Sequence, residues 1–368
     1  MTRIVVLGGY GVFGSRIAER LARDPALRVI VAGRSLASAE AKRDALAAQA
    51  TAKIEAAALD VMAIDADTLR RLGGQIVINA VGPYQAQDYR VARAAIGAGA
   101  HYIDLADARA FVTGIAALDA EARSAGVLVT SGASSVPALA AAVIDDLAPR
   151  FESLGTLTYA ISPGNSFDPG EATVASILGA VGKPFTTLRD GVMATAHGWQ
   201  PLVTHRGADT GTRWLGACDV PDLDLFPIRY PTLRTQRFLA GVEVRLFHGG
   251  LWLLSWLVRA GLAPSVAPLA RPLLALKRRL GFLGSDRGLM FIRIDGRDRN
   301  REPLSVTWTL VAHQGHGPYI PGIPAVIIAR RLAAGLETQR GAMPCLGLVT
   351  HADFNREVAD LDIRQNLA

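Results

Sequence analysis

The stretch that decides the fold lies near the start of the chain, where residues 4–14 read IVVLGGYGVFG. Its four leading apolar residues predict a short buried strand, and the run that follows contains G-x-G-x-x-G. Glycines at this spacing allow a tight turn and close packing of the next helix, whose N-terminus can face a phosphate. The stretch therefore predicts the first strand, loop and helix of a dinucleotide-binding domain. The predicted cofactor contacts in this loop are Gly9, Tyr10, Gly11, Val12, Phe13 and Gly14.

Five further apolar runs follow, separated by amphipathic stretches. They cover residues 29–32, 54–59, 76–80, 102–105 and 127–130. Continuous apolar runs are typical of parallel strands that are covered by helices on both faces. The predicted fold class is therefore α/β, with an N-terminal Rossmann domain (a parallel, doubly wound sheet) over residues 1–135.

The pattern changes after about residue 150, where Pro and Gly become frequent. Residues 290–296 and 303–310 alternate in polarity around a polar turn at 298–300, which predicts an antiparallel pair of strands. We expect a second, α+β domain with a mixed or antiparallel sheet over residues 136–321. The final segment, residues 322–368, returns to helix and strand patterns and is predicted to pack back on the Rossmann domain.

The composition and charge of the chain argue against several classes of function. The chain has 39 Lys and Arg against 33 Asp and Glu, a net charge of +6, but its only basic run is residues 277–279, which argues against nucleic acid as a partner. The two cysteines fit neither a disulfide framework nor a zinc spacing, so no metal site is predicted. The first apolar run is too short for a signal peptide, and a cytoplasmic location is expected.

Residues 239–283 form the most apolar region outside the first domain. The uncharged run 249–258 ends at Arg259, well short of the roughly 20 apolar residues that a transmembrane helix needs. One interpretation is a helical core or a dimer face. The alternative is an amphipathic surface in peripheral contact with a membrane.

The second strand indicates which dinucleotide binds. It ends in Arg34 and Ser35, where an NAD-binding domain usually places an acidic residue for the ribose 2′-hydroxyl. A guanidinium can instead pair with the 2′-phosphate of NADP, and a serine hydroxyl adds a second donor. NADP (as NADPH) is therefore the predicted cofactor, and NAD is disfavoured.

Later strand ends supply further candidates. Asp60 and Val61 follow the third strand and either contact the adenine or begin the next helix. Asn79, Gly82 and Pro83 follow the fourth strand, beside the expected position of the nicotinamide.

Polar residues beyond the fourth strand are candidates for chemistry. Each of them also has a structural interpretation, as packing, helix capping or turn formation. The candidates for proton transfer are Tyr84, Asp107 and His316. The candidates for substrate contact are Asp104, Ser134, Ser135 and His313.

The segments GGYGVFG (8–14), AGRS (32–35), NAVGPY (79–84), HYIDLAD (101–107) and GASSVPAL (132–139) together resemble the NADP-binding domain of the saccharopine dehydrogenase-like oxidoreductases. The resemblance is strong over residues 1–145, whereas residues 150–285 match no part of the family. It implies an NADP-dependent enzyme with a second domain that carries the substrate and subunit contacts, hence a homodimer. It names no substrate.

Three functional hypotheses follow. The leading one is hydride transfer to or from a C=C or C=N bond of a mainly apolar, even lipid-like, small molecule. One alternative is a non-catalytic NADP-binding regulator or membrane-associated scaffold. The other is an amino-acid (secondary amine) dehydrogenase, which would need a cluster of cations at the substrate.

Overall fold

The structure, a computed structural model, describes all residues 1–368. The first part of the chain alternates strands and helices. In chain order these are β1 (Thr2–Leu7), α1 (Gly14–Leu21), β2 (Leu27–Gly33), α2 (Leu36–Ala47), β3 (Lys53–Ala58), α3 (Ala66–Leu72), β4 (Ile76–Asn79), α4 (Arg90–Gly97), β5 (His101–Asp104), α5 (Arg109–Gly114), α6 (Asp119–Ser124), β6 (Leu128–Ser131) and α7 (Ala140–Leu147).

The middle part is richer in strands and turns. Its elements are β7 (Ser153–Ser162), α8 (Gly170–Ala180), β8 (Pro184–Arg189), β9 (Val192–His197), β10 (Val203–Gly207), β11 (Gly211–Ala217), α9 (Asp222–Arg229), β12 (Thr235–Ala240), α10 (Arg245–Arg259), α11 (Ala270–Arg279), β13 (Gly288–Arg297) and β14 (Pro303–Ala312). The last part contains α12 (Ile323–Ala333), β15 (Gly341–Pro344), α13 (His351–Glu357) and β16 (Ile363–Leu367).

The first sheet has the strand order β15-β6-β5-β4-β1-β2-β3, and all its pairings are parallel. Strands β1, β2, β4, β5 and β6 bury most of their side chains, whereas those of the edge strand β3 are partly buried or exposed. The six predicted strands are all present, and the predicted α/β fold class with a Rossmann domain is confirmed. Strand β1 lies between β2 and β4, and the chain crosses from β3 past β1 to β4. This switch point is where Rossmann folds bind dinucleotides.

The second sheet is mixed, as predicted. Its order is β10-β11-β12-β7-β13-β14-β16, with only β12 and β7 parallel. The predicted hairpin corresponds to β13 and β14, which pair from Gly288 with Ala312 to Arg297 with Pro303. A separate two-stranded hairpin is formed by β8 and β9.

The chain divides into two compact units, and neither is continuous in sequence. Unit 1 comprises residues 1–142 and 318–357, and unit 2 comprises residues 143–317 and 358–368. These bounds differ from the expected divisions at 135 and 322. The first lies inside α7, whose residues 140–142 are fully buried, and an unbroken helix gives no signal of a boundary in sequence. The final eleven residues, 358–368, were expected to pack on the Rossmann domain. They belong to unit 2, because β16 pairs with β14 in the second sheet.

The returning segment is fixed to α1 by a buried ion pair. Nη2 of Arg20 lies 2.9 Å from Oε1 of Glu357, and both side chains are less than a tenth exposed. Breaking a buried pair of this kind leaves one charge without compensation and costs roughly 3–5 kcal/mol. Residues 318–357 are therefore an integral part of unit 1.

Residues 239–283 form two helices, α10 and α11, joined by a turn. Their inner faces pack on a cluster around Leu178, Val181 and Trp199 in unit 2. Nowhere does the fold contain a helix both long enough and apolar enough to cross a bilayer.

Candidate cofactor and active site

Strand register brings the predicted site residues to one edge of the first sheet. Leu7 at the end of β1 pairs with Ala32 on β2 and with Asn79 on β4, and Asn79 pairs with Asp104 on β5. The loops that follow these strands therefore leave the sheet side by side. In parallel sheets this carboxyl edge is the ligand-binding edge.

The glycine loop after β1 depends on the absence of side chains. Gly8 has a φ of +71°, which favours glycine. A Cβ on Gly9 would lie 2.8 Å from the carbonyl oxygen of Val6, and one on Gly14 would overlap the carbonyl oxygen of Gly8. The loop thus curls tightly back on β1 and delivers the N-terminus of α1 to the sheet edge. The sequence motif accounts for Gly9, Gly11 and Gly14, but Gly8 was not among the predicted residues.

The loop after β2 carries the predicted 2′-phosphate site. Arg34 is exposed and makes no hydrogen bond or ion pair within the protein. The Ser35 side chain caps α2 by accepting a hydrogen bond from the N–H of Ser38 at 3.2 Å. No carboxylate is present in this loop to repel a phosphate, so these residues fit NADP.

Tyr10 fixes the glycine loop to the loop after β2. Its hydroxyl oxygen accepts a hydrogen bond from the N–H of Ser35, and its ring covers Gly33, where a Cβ would lie 2.5 Å from the ring. Tyr10 was predicted as a cofactor contact, and its observed contacts give it a supporting role.

A shallow pocket lies beside the end of β3. Its lining includes Val61, Met62 and Gln87. Asp60 does not reach into it, because its Oδ1 accepts a hydrogen bond from the N–H of Met62 at 2.9 Å. Val61 and the backbone near it are therefore the better candidates for a contact with adenine.

The loop after β4 corrects two predictions. The side chain of Asn79 is fully buried, donates to the hydroxyl of Tyr102 at 3.2 Å and accepts from the N–H of Val81 at 3.1 Å. Tyr84 is buried as well, and its hydroxyl donates to the carbonyl oxygen of Asn79 at 2.7 Å. Both side chains shape the loop and cannot contact a ligand directly. They leave Gly82 and Pro83 exposed at the sheet edge.

Asp104 cannot contact a substrate as predicted, because its side chain is fully buried. It instead hydrogen-bonds the backbone of two neighbouring loops. Its Oδ1 accepts hydrogen bonds from the N–H of Ala106 and of Gly132, both at 2.9 Å, and from the hydroxyl of Ser131 at 2.8 Å. Burial raises the pKa of this carboxyl to about 6, although the hydrogen bonds lower it. Asp104 therefore holds the loops after β5 and β6 together.

Asp107, unlike Asp104, is exposed. Desolvation by the surrounding protein raises its pKa, while a hydrogen bond from Gln85 at 3.5 Å acts in the opposite direction. In the loop after β6, Ser134 is partly exposed and Ser135 is buried. Unit 1 therefore offers Asp107 and Ser134 as side chains that a substrate can reach.

The two predicted histidines lie in unit 2, in the turn after β14. Nδ1 of His316 accepts a hydrogen bond from the N–H of Asp362, and the N–H of His313 donates to the carbonyl oxygen of the same residue. These contacts fasten the turn to the residue before β16. The arrangement favours the structural interpretation that the sequence had left open for both histidines.

No group of three or more His, Cys, Asp or Glu side chains is placed to hold a metal ion. Both cysteines are free, and burial raises the pKa of the Cys345 thiol to about 12.

The fold and the site define a class. The glycine loop after β1, residues 8–14, forms a glycine cradle for a dinucleotide. A Rossmann sheet with this cradle and with an unpaired arginine after β2 is the NADP-binding domain of an oxidoreductase. Residues 4–130 match the family model of the saccharopine dehydrogenase NADP binding domain. The predicted resemblance, the NADP cofactor and the oxidoreductase class are thereby confirmed.

Solved structures extend the similarity to the whole chain. Apo saccharopine dehydrogenase (L-Glu forming) from Saccharomyces cerevisiae is similar over 100% of both chains, with a TM-score of 0.71 at 14% identity. Amine dehydrogenase from Mycobacterium smegmatis is similar over 94% of each chain, with a TM-score of 0.51 at 13% identity. At these identities the likeness establishes the fold alone. No curated protein sequence matches the chain.

Proposed function

We propose that this protein transfers a hydride between NADP(H) and a C=N bond of a small molecule, interconverting an imine and an amine. The observation that carries the proposal is the arrangement along one sheet edge of the glycine cradle, Arg34, the exposed Gly82–Pro83 backbone and the exposed Asp107. When bound, NADPH would supply the hydride. The names of the two similar structures, a saccharopine dehydrogenase and an amine dehydrogenase, support carbon–nitrogen chemistry in preference to C=C reduction.

The chain itself must supply the proton that makes an imine electrophilic. Asp107 suits this role because its side chain is open to a ligand, and desolvation raises its pKa toward that of a proton donor. A protonated Asp107 would give its proton to the imine nitrogen and then stabilise the iminium as a carboxylate. Tyr84 is a poor donor, since burial raises its pKa well above 10 and its hydroxyl is engaged with Asn79.

The site residues constrain the substrate less than they constrain the cofactor. The similarities give no support to a lipid-like substrate. An amino-acid substrate would need unpaired cations, but Arg213, the buried arginine of unit 2, is already paired with Glu243 at 3.1 Å. We propose a compact imine or secondary amine, handled by a cytoplasmic homodimer. Sedimentation equilibrium of the purified chain measures the dimer directly.

The test is NADPH oxidation by the full chain with a panel of cyclic imines, ketone–amine mixtures and enones. We expect turnover with C=N substrates and a loss of about 100-fold or more in kcat for Asp107→Asn, with the Kd for NADPH unchanged. Asp67→Asn, which removes an exposed carboxylate on α3, is the matched control. Turnover of enones alone would overturn the C=N assignment. NADPH binding without any turnover would favour the alternative hypothesis of a non-catalytic NADP-binding regulator.

A further inference from the structure

Helix α10 exposes an apolar stripe on the surface of unit 2. Leu246, Leu253 and Leu257 are 72%, 61% and 43% exposed, and their spacing of seven and four residues places them on one side of the helix. The opposite side buries His248, Ser255 and Val258. Contiguous exposed apolar surface on a folded protein usually marks a contact with a partner or a membrane.

The two charged residues of α10 itself are both cations. The 13 residues between Arg245 and Arg259 contain no charged residue, so α10 has a cation at each end and none between. Residues 239–283 contain six basic residues and a single acidic one, Glu243, which is engaged by Arg213 and by Ser285. The turn beyond α10 adds Leu262, which is 76% exposed. The α10 stripe is thus apolar with a cation at each end, whereas two basic residues of α11 are paired with carboxylates, Arg271 with Glu171 and Arg278 with Asp168.

A pocket at the C-terminal end of α10 concentrates this positive charge. Lys183 and Arg259 supply the charge, His197 lines it with a pKa that desolvation and Arg259 lower, and no acidic residue lines it. The guanidinium of Arg259 is held in place, because its Nη1 donates to Oε1 of Gln200 at 2.7 Å and its centre lies 5.1 Å from the ring centroid of Trp256. Lys183 is exposed, and its side chain makes no hydrogen bond or ion pair within the protein. The pocket is therefore built to take an anion.

We propose that α10 and this pocket form a docking surface for an anionic phospholipid membrane, with a lipid phosphate bound between Lys183 and Arg259 and the leucine stripe inserted among the acyl chains. Complementary charge selects this occupant. A second copy is disfavoured, because antiparallel pairing of two α10 stripes would bring Arg245 of one copy close to Arg259 of the other. The inference is independent of the reaction catalysed.

Flotation of the full chain with vesicles tests the proposal, using phosphatidylcholine alone or mixed with phosphatidylglycerol. We expect at least tenfold stronger partitioning into the anionic vesicles. Lys183→Glu should weaken it about tenfold or more, because each basic residue near such a surface contributes about 1 kcal/mol. Leu253→Ser combined with Leu262→Ser should weaken it by a similar factor, since exposed leucines drive interfacial insertion.

Matched controls are Lys42→Glu, a lysine of α2 without an ion-pair partner, and Leu336→Ser, whose leucine is 69% exposed in unit 1. Both should partition like the wild type. Equal partitioning into both kinds of vesicle, or none, would overturn the proposal. It would also fail if the leucine variants dissociate a dimer in sedimentation equilibrium, or if Lys183→Glu abolishes binding of inorganic phosphate while no vesicle is bound.

Discussion

The hydroxyl oxygen of Tyr10 accepts a hydrogen bond from the backbone N–H of Ser35 at 3.0 Å and so joins the glycine loop to the loop that carries Arg34. We expect Tyr10→Phe to raise the Kd for NADPH about three- to tenfold, since one such hydrogen bond contributes roughly 0.5–1.5 kcal/mol. The Kd for NADH should change less, because NADH has no 2′-phosphate to be positioned. Fluorescence titration measures both. Tyr319→Phe, which removes a tyrosine hydrogen bond to Glu19, is the control, and equal losses for both nucleotides would contradict the assignment.

Arg34 should determine the preference between the two nucleotides. Arg34→Ala should weaken NADPH binding at least tenfold, because a charge-assisted hydrogen bond contributes about 1.5–3 kcal/mol, and should leave NADH binding nearly unchanged. The same titrations on Arg43→Ala, a partly exposed arginine of α2 that pairs with Asp44, provide the comparison. If the wild type bound both nucleotides equally, Arg34 would have no role in selection.

The close packing of the glycine cradle should make it intolerant of larger side chains. Gly14→Ala should abolish NADPH binding and destabilise the protein by about 1–3 kcal/mol, because the new methyl group would overlap the carbonyl oxygen of Gly8. Gly179→Ala, within α8, meets no atom within 4 Å and should instead stabilise by up to about 1 kcal/mol. Urea denaturation distinguishes them. Equal stabilities would show that the loop relaxes to admit a side chain.

A buried carboxyl in unit 2 should make stability depend on pH. Burial raises the pKa of Asp222 to about 8, while a hydrogen bond with Tyr159 opposes the shift. Between pH 4 and pH 8 the native state therefore retains a proton that the unfolded state has lost. Stability then falls as pH rises, by up to about 1.4 kcal/mol per pH unit from this group.

Asp222→Asn should remove this slope and make the protein more stable than the wild type at pH 8. Urea denaturation from pH 5 to pH 9 measures it, with Asp209→Asn, an exposed carboxylate of the same unit, as the control. A variant with the same slope as the wild type would assign the pH dependence to other groups.

Local patterns in sequence predicted the first sheet well. Apolar runs marked all six of its early strands, and the spacing of Gly9, Gly11 and Gly14 marked the cradle, because both signals lie within a few neighbouring residues. The return strand β15 gave no such signal. It has four residues and ends in Pro344, and its pairing with β6 depends on the 209 residues between them.

The site was predicted less completely, since residue type and strand position do not reveal burial. Asn79 and Asp104 lie at strand ends, where ligand-binding residues are common. Both side chains are nevertheless buried and accept hydrogen bonds from backbone N–H groups of nearby loops. Their distinction from Asp107 lies in exposure, which only the fold determines. The Arg20–Glu357 pair spans 337 residues and had no local signature.

The division of unit 1 between the two ends of the chain has a consequence for biosynthesis. Residues 1–142 leave the ribosome before the 175 residues of 143–317, so β6 has no β15 beside it until 341–344 emerge. At about 5–20 residues per second this delay is roughly 10–40 s. A nascent chain thus presents an open strand edge for that long, and an expression host with ample co-translational chaperones should yield more soluble protein than one without.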